Sequence, residues 1–345
     1  MRFLMRWSRL PAVALAATAL VAAACGSSGS NSGGTTATTT VKIACDRELS
    51  EVFLWDLGTF AKKYGIDPQC VQIQSFDESL QAVSNGSVDI GVLGIPQMST
   101  VASKGLPLKI VAGYTNAGQN VVIRKGETIN SWTDFQGKTI CVPQGTGTAI
   151  MVNIALQQEG VDLSKVKVQG IGFVTSAALQ AVQNGQCDAL GYWSPVVDQA
   201  EQQGVAQYNT PAIDLNTATT IGAANGVMVA NSHLYGNKTL IDNFMKAYVE
   251  SMNYYKAHPD KWASIGAQVT GADQSLLAAA LKHQEAVFNV DVKAAQAAAA
   301  YGPKFGYATS DVSAQIPGIV DVSALAQATG KSESDLTQPV PWTGG

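Results

Sequence analysis

Three consecutive residues, Asp46, Arg47 and Glu48, follow directly on a short apolar run. Beyond the first ten residues the chain has only two arginines, Arg47 and Arg124. A guanidinium presents a fixed fork of donors that suits a sulfonate, carboxylate or nitrate. The same triplet also reads as a solvated charge cluster opening a helix, with Asp46 near the positive N-terminal end. Asp46 and Glu48 could instead hold an amine or amidine, or pair with Arg47.

Three other loops carry groups able to recognise a ligand. In Gln144-Gly-Thr-Gly-Thr148 a strand runs into a helix start, where backbone N–H groups make a natural anion site. Gly145 leaves room for that approach, and Thr146 and Thr148 add hydroxyls. No Gly-Lys-Ser/Thr follows, so this is not a P-loop, and the dinucleotide glycine pattern is incomplete. The loop reads equally as a glycine turn with a threonine cap. Tyr192-Trp193-Ser194-Pro195 offers an aromatic wall for planar or cationic groups, or else Trp193 packs beneath the loop. In Gly94-Ile-Pro-Gln-Met98, Gln97 can donate and accept. Tyr114 and Asn116 follow the next strand and can reach the same cleft, whereas Trp55 and Phe60 are expected to pack within helices.

Catalytic and metal chemistry find little support. The three histidines, His233, His258 and His283, are far apart and form no metal-binding pair. No Cys–His or Ser–His–Asp arrangement is visible, so no catalytic residue, metal or cofactor is expected. Only the carboxylates Asp46 and Glu48 keep an enzymatic reading open. Without a basic block, nucleic acid is not an expected partner.

An internal repeat shows which elements must hold these loops. Leu80-Gln-Ala-Val-Ser-Asn-Gly-Ser-Val-Asp89 matches Leu179-Gln-Ala-Val-Gln-Asn-Gly-Gln-Cys-Asp188, 99 residues later. In each copy a helix ends at Asn-Gly, where glycine accepts the left-handed conformation, and a short apolar strand follows, residues 90–93 and 189–192. Strands are expected before each copy at 41–45 and 70–73, and at 139–142 and 166–170, with helices at 53–64 and 149–159. Alternation of this kind gives parallel sheets with covered faces. The expected fold class is therefore α/β, with two similar Rossmann-like lobes of mixed sheet. Strands at 120–124 and 226–230 cross between them. Lobe 1 is expected over 41–120 plus 228–345, and lobe 2 over 121–227. Phe244, Tyr248, Met252 and Tyr255 recur at helical spacing in a helical C-terminal region, and Pro259 ends that helix.

The chain has 345 residues, 46% of them hydrophobic and 14% charged, which is enough to bury two cores. Arg2, Arg6 and Arg9 precede an apolar run over 10–24, which reads as a signal peptide over 1–24. It is shorter than the ~20 apolar residues of a typical membrane span. Ala22-Ala-Ala-Cys25 is similar to a bacterial lipobox with Ala22 where Leu is usual, so Cys25 is expected to carry a lipid. The alternative is an ordinary cleavage site. Residues 25–40, rich in Gly, Ser and Thr, read as a flexible tether. Cys45, Cys70, Cys141 and Cys187 can oxidise in an exported protein, and four cysteines allow three pairings.

Four segments make the chain resemble the type II periplasmic binding proteins of the sulfonate, taurine, nitrate and pyrimidine-precursor group. They are Asn85-Gly-Ser-Val-Asp-Ile-Gly91, Lys104-Gly-Leu-Pro-Leu-Lys109, Ile129-Asn-Ser-Trp-Thr-Asp-Phe-Gln-Gly-Lys138 and Cys187-Asp-Ala-Leu-Gly-Tyr-Trp-Ser-Pro195. The resemblance implies an exported, lipid-anchored, monomeric solute-binding component of an ABC importer. Its partners would be a permease and an ATPase, and it would capture a small, anionic solute such as a sulfonate, taurine or nitrate by cleft closure. It also implies ligand contact at the Gln144–Thr148 loop. Many members carry an acid between the Trp and the Pro. Ser194 stands there instead, which counts against a strongly cationic contact at that spot. An enzyme acting on a pyrimidine precursor or lyase substrate, and an extracellular sensor, are the alternatives. The candidate site is thus Arg47, Glu48, Gln97, Tyr114, Gly145, Thr146, Thr148, Trp193 and Ser194.

Overall fold

The computed structural model describes residues 38–342 apart from 145, 173 and 210. The expected signal peptide, Cys25 and most of the tether therefore lie outside the described residues, as does Gly145. Among the described residues strand β1 begins at Thr39, so the tether expected up to residue 40 gives way to strand slightly earlier.

The first sheet begins with β1 (Thr39–Cys45), β2 (Ile66–Gln72), β3 (Ile90–Gly94) and β4 (Leu108–Ala117). The second is built from β5 (Gln119–Arg124), β6 (Thr139–Pro143), β7 (Lys167–Ile171), β8 (Ala189–Trp193) and β9 (Ala206–Tyr208). The chain then returns through β10 (Ala224–Asn231) and a two-residue edge strand, β11 (Gln284–Glu285), to the first sheet. The orders are β11-β4-β10-β3-β1-β2 and β7-β6-β8-β5-β9. In each sheet one strand that has crossed between lobes is antiparallel to its neighbours: β10 against β3 and β4, and β5 against β8 and β9. The edge strand β11 is also antiparallel to β4, and the rest pair in parallel, β1 with β2 and β3, and β6 with β7 and β8. All five residues of β3 are buried, the pattern of a parallel strand covered on both faces.

The repeat has a shared structural purpose. Its helices, Phe76–Ser84 and Thr175–Gln183, end before Gly86 (φ 76°) and Gly185 (φ 73°), as the Asn-Gly pairs predict. The repeated aspartates then clamp the parallel strands at their starts. Asp89 Oδ2 accepts the Lys42 N–H at 2.9 Å, and Asp188 Oδ2 accepts the Thr139 N–H at 2.9 Å. The aspartate N–H groups return a bond to the carbonyls of Lys42 and Thr139. Arg124 pairs with Asp188 and Glu127, so the second arginine is committed to the fold.

Two disulfides resolve the open pairing. Cys45–Cys70 ties β1 to β2, and Cys141–Cys187 ties β6 to the loop leading into β8, with Cα separations of 5.5 and 5.7 Å. Helix Lys238–Ala257 buries Phe244, Tyr248, Met252 and Tyr255 on one face, and the Tyr248 ring lies 5.7 Å from that of Phe53. Pro259 both stops this helix and opens the next, Pro259–Thr270, where the missing N–H costs nothing. The helix expected over 53–64 is divided into Val52–Trp55, Leu57–Ala61 and a 3-10 turn at Lys62–Tyr64.

The crossing itself is short. β4 and β5 are separated by Gly118 alone, and Ala117 and Gly118 both adopt left-handed φ values of 57° and 82°. The return runs from Tyr208 to Ala224. No helix among the described residues is long and apolar enough to cross a membrane.

Candidate ligand-binding cleft

The loop after β1 is folded around a buried acid. Glu51 is fully buried and its Oε2 accepts the Asp46 N–H at 2.7 Å. Asp46 Oδ1 accepts the Arg47 N–H at 2.7 Å, and the Asp46 carbonyl accepts from Trp55 Nε1 at 2.7 Å. Glu48 is half-buried, with Ser50 Oγ 3.4 Å from its Oε2. This gathers three carboxyl groups into one turn. Burial pushes the Glu48 carboxyl up to about 8, and the nearby Asp46 charge adds to the rise. Asp46 is raised by burial and by Glu78, and Glu51 is raised well above the carboxylate range by burial and by both neighbouring acids.

Other elements bring their groups to the same place. Gln97 stands at the first position of helix Gln97–Ser103. A Cβ on Gly94 would lie 2.9 Å from Gln97 Oε1, so glycine at the end of β3 makes room for that carboxamide. Tyr114 on β4 lies across β10, where a Cβ on Gly226 would meet its ring at 2.3 Å. In the second lobe, Thr146 caps helix Gly147–Gln158: its Oγ1 accepts the Ala149 N–H at 3.2 Å and donates to the Pro143 carbonyl at 2.7 Å. Thr148 lies in the first turn of that helix, with its buried Oγ1 bonded to no protein group. Trp193 ends β8 with its ring 4.3 Å from that of Tyr192, and the Ser194 N–H donates to the Gly118 carbonyl at 2.8 Å.

These residues close around a cavity of about 250 Å³. Glu48, Gln97 and Tyr114 line it from the first lobe, and Thr146, Thr148, Trp193 and Ser194 from the second. Arg47 is not part of this wall. Its side chain is exposed at the adjoining, wider hollow beside Tyr192 and Thr175, and it forms no ion pair among the described residues. Backbone direction explains this, because Asp46 and Glu48 face the cavity and the residue between them faces away. The oxyanion expected from Arg47 therefore has no guanidinium to meet it in the cavity, whose described lining contains no Lys, Arg or His.

The sequence reading missed Phe76, Gln119, Asn225 and Gln284, all of which line the cavity. Phe76 was within reach of the strand-end rule, since it starts the helix beyond β2. Gln119 and Asn225 lie at the crossover between the two sheets, which carries no sequence motif. Gln284 sits on a two-residue edge strand that carries no sequence signal. Outside the cavity wall, Asp198 of the second lobe holds His283 Nδ1 at 2.6 Å and Tyr208 Oη at 3.1 Å. Among the described residues no group of His, Cys, Asp and Glu is arranged to hold a metal ion.

Residues 57–262 match the family model described as NMT1/THI5 like. The chain belongs to the NMT1/THI5-like family. Among curated relatives, the taurine-binding periplasmic protein of Escherichia coli is 24% identical over 212 residues, which cover 59% of this chain and 62% of that protein. The match thus spans under two thirds of that relative's length. Among solved structures, the periplasmic aliphatic sulphonate-binding protein of Escherichia coli superposes with a TM-score of 0.69 at 17% identity, covering 89% of this chain and 94% of the other. The desulfurization enzyme DszB superposes at 0.61 with 14% identity, covering 84% and 99%. At these identities the structures establish the fold, which is that of a type II periplasmic binding protein. The same scaffold carries both binding proteins and an enzyme.

Proposed function

We propose that this chain is the extracytoplasmic solute-binding component of an ABC importer. It captures a small polar solute by closure of its two lobes, and a permease–ATPase complex reads the closed form. The observation that carries this reading is a single cavity walled by both sheets and by the crossover between them. A ligand touching both walls binds the closed arrangement better than the open one, and that difference in affinity is what drives closure. Glu48, Gln97, Tyr114, Thr148, Trp193 and Ser194 hold the solute through their side chains, and Thr146 and Gly145 contribute through the backbone of the second lobe's loop.

The relatives named for taurine and sulphonate binding support a solute-binding role over a catalytic one. All four cysteines of the folded region are in disulfides, so none offers a thiol nucleophile. The Asp198–His283 pair is not among the residues that line the cavity. Export as a monomer tethered through a lipidated Cys25 completes the proposal.

The test is binding and turnover together. Purified protein is titrated calorimetrically with alkanesulfonates, taurine, nitrate, pyrimidines and amines, and each mixture is then analysed for chemical change. Saturable binding with the solute recovered intact is expected. A solute present at 100 times its dissociation constant stabilises the fold by about 2.7 kcal/mol. Conversion of a bound solute would replace this reading with the enzymatic one.

A further inference from the structure

We infer that the cavity takes a solute bearing a protonated nitrogen, an amine or amidine, with the Glu48 carboxylate as its counter-charge. This rests on the capture reading above and names the chemistry of what is captured. Glu48 and Asp46 face the cavity, Glu51 stands buried behind them, and no basic side chain among the described residues lines the space. A sulfonate or nitrate placed there would meet Asp46, Glu48 and Asp77 without a cation among them, whereas an ammonium or amidinium supplies the counter-charge they lack.

The uncharged part of the wall points the same way. Gln97, Gln119 and Thr148 are 1%, 7% and 1% exposed and all line the cavity. Gln97 Oε1, Gln119 Oε1 and Thr148 Oγ1 receive no hydrogen bond from the protein, whereas Gln284 Nε2 on the same wall is a buried donor without an acceptor. Buried oxygens of this kind call for donors, and a protonated nitrogen is donor-only. Phe76 and Trp193 also line the cavity and supply aromatic surface suited to a cation.

Binding should be linked to protonation. The groups around Glu48 are Asp46 and Arg47 on its own loop, Glu51 in the following turn, and Asp77 and Glu78 on helix Phe76–Ser84, with the phenols of Tyr114 on β4 and Tyr192 on β8. Of these only Arg47 is a cation, and it is exposed at the neighbouring hollow. Below about pH 8 the Glu48 carboxyl is largely protonated. A bound cation then displaces that proton, so affinity rises with pH up to that point and levels off beyond it.

A pair of probes of one shape and opposite charge tests this on the full chain: benzamidine and benzoate, with agmatine and benzylamine as further cations. Benzamidine or another of the cations is expected to bind at least tenfold more tightly than benzoate, releasing close to one proton per site near pH 7. Glu48→Gln, which preserves size and hydrogen bonding, should lose at least tenfold in cation affinity and abolish the proton release. Glu48→Asp should retain part of both. Benzoate or a sulfonate binding more tightly than every cation would overturn the inference while leaving solute capture intact, as would failure of all three cations to bind. Failure of every solute, charged or neutral, would remove the capture reading itself.

Discussion

Gln119 Nε2 donates to Asn225 Oδ1 at 2.6 Å, and Asn225 Nδ2 donates in turn to the Ala117 carbonyl at 2.7 Å. These two side chains join the outgoing crossover between β4 and β5 to the start of the returning strand β10. Both also line the cavity, so the hinge and the site share atoms. The Ala117 N–H adds a bond to the Ala223 carbonyl at 2.6 Å, and the Gly118 N–H adds one to the His283 carbonyl at 2.8 Å. Asn225→Ala removes both side-chain bonds. The expected loss is about 1 kcal/mol per bond, concentrated at the hinge. Hydrogen exchange should show faster exchange at 117–119 and 223–226, with the strands β1 to β3 unchanged. Uniform exchange in the variant and the native protein would mean that the backbone bonds alone define the hinge.

The acid turn after β1 sets how stability depends on pH. The Glu48 carboxyl is raised to about 8 in the folded protein from its ordinary value of 4.5. The folded state therefore holds a proton that the unfolded chain has released between those two values. Its contribution is fully present below about 4.5 and is lost as pH rises through about 8. Asp46 and Glu51 shift in the same direction. Urea unfolding between pH 5 and pH 9 should show stability falling with pH, and Glu48→Gln should flatten part of the fall. A native protein most stable at the alkaline end would contradict the assignment.

The packing of Tyr114 depends on a missing side chain. Added to Gly226, a Cβ would lie 2.3 Å from the ring and 2.7 Å from its hydroxyl oxygen. Gly226→Ala must then displace either Tyr114, which is buried beside Phe53, or the strand β10. Overpacking of this kind costs about 1–3 kcal/mol. Thermal unfolding measures that cost, and solute titration should show weakened binding as well. Tyr114→Phe in the Gly226→Ala background would not restore stability, because the clash includes ring carbons and not the hydroxyl alone.

The sequence made the repeated strand–helix units legible because their signals are local: apolar runs, Asn-Gly helix ends and a matching aspartate. It also brought forward the loops after the strands, and Glu48, Gln97, Tyr114, Trp193 and Ser194 do meet in one cavity. It could not show which way side chains point within the Asp46-Arg47-Glu48 triplet. There, alternation places Arg47 outside and its acidic neighbours inside, which reverses the charge expected of the site. Gln119, Asn225 and Gln284 escaped notice because their place depends on how distant segments meet. The disulfide pairing was hidden for the same reason. Cys70 is brought to Cys45 by strand register, Ile43 standing opposite Cys70, and spacing along the chain carries no trace of it.

Thr146 and Thr148, two residues apart in one loop, separate into different duties. Thr146 spends its hydroxyl on the fold, accepting from Ala149 N–H and donating to the Pro143 carbonyl. Thr148 keeps a buried hydroxyl that no protein group satisfies, on the cavity wall. Thr146→Ala is therefore expected to cost about 1 kcal/mol of stability through the lost helix cap. Thr148→Val, which keeps the shape, should leave stability of the unliganded protein within about 0.5 kcal/mol or raise it, because an unmet buried polar group is removed. Its effect belongs in the titration, where a lost bond to the solute should weaken affinity several-fold. Denaturation midpoints and calorimetry on the two variants separate the outcomes: Thr146→Ala moves the midpoint, and Thr148→Val moves the affinity. If Thr148→Val alters neither, its hydroxyl takes no part in holding the solute, and the wall of the second lobe reduces to Trp193 and the backbone of its neighbouring loop.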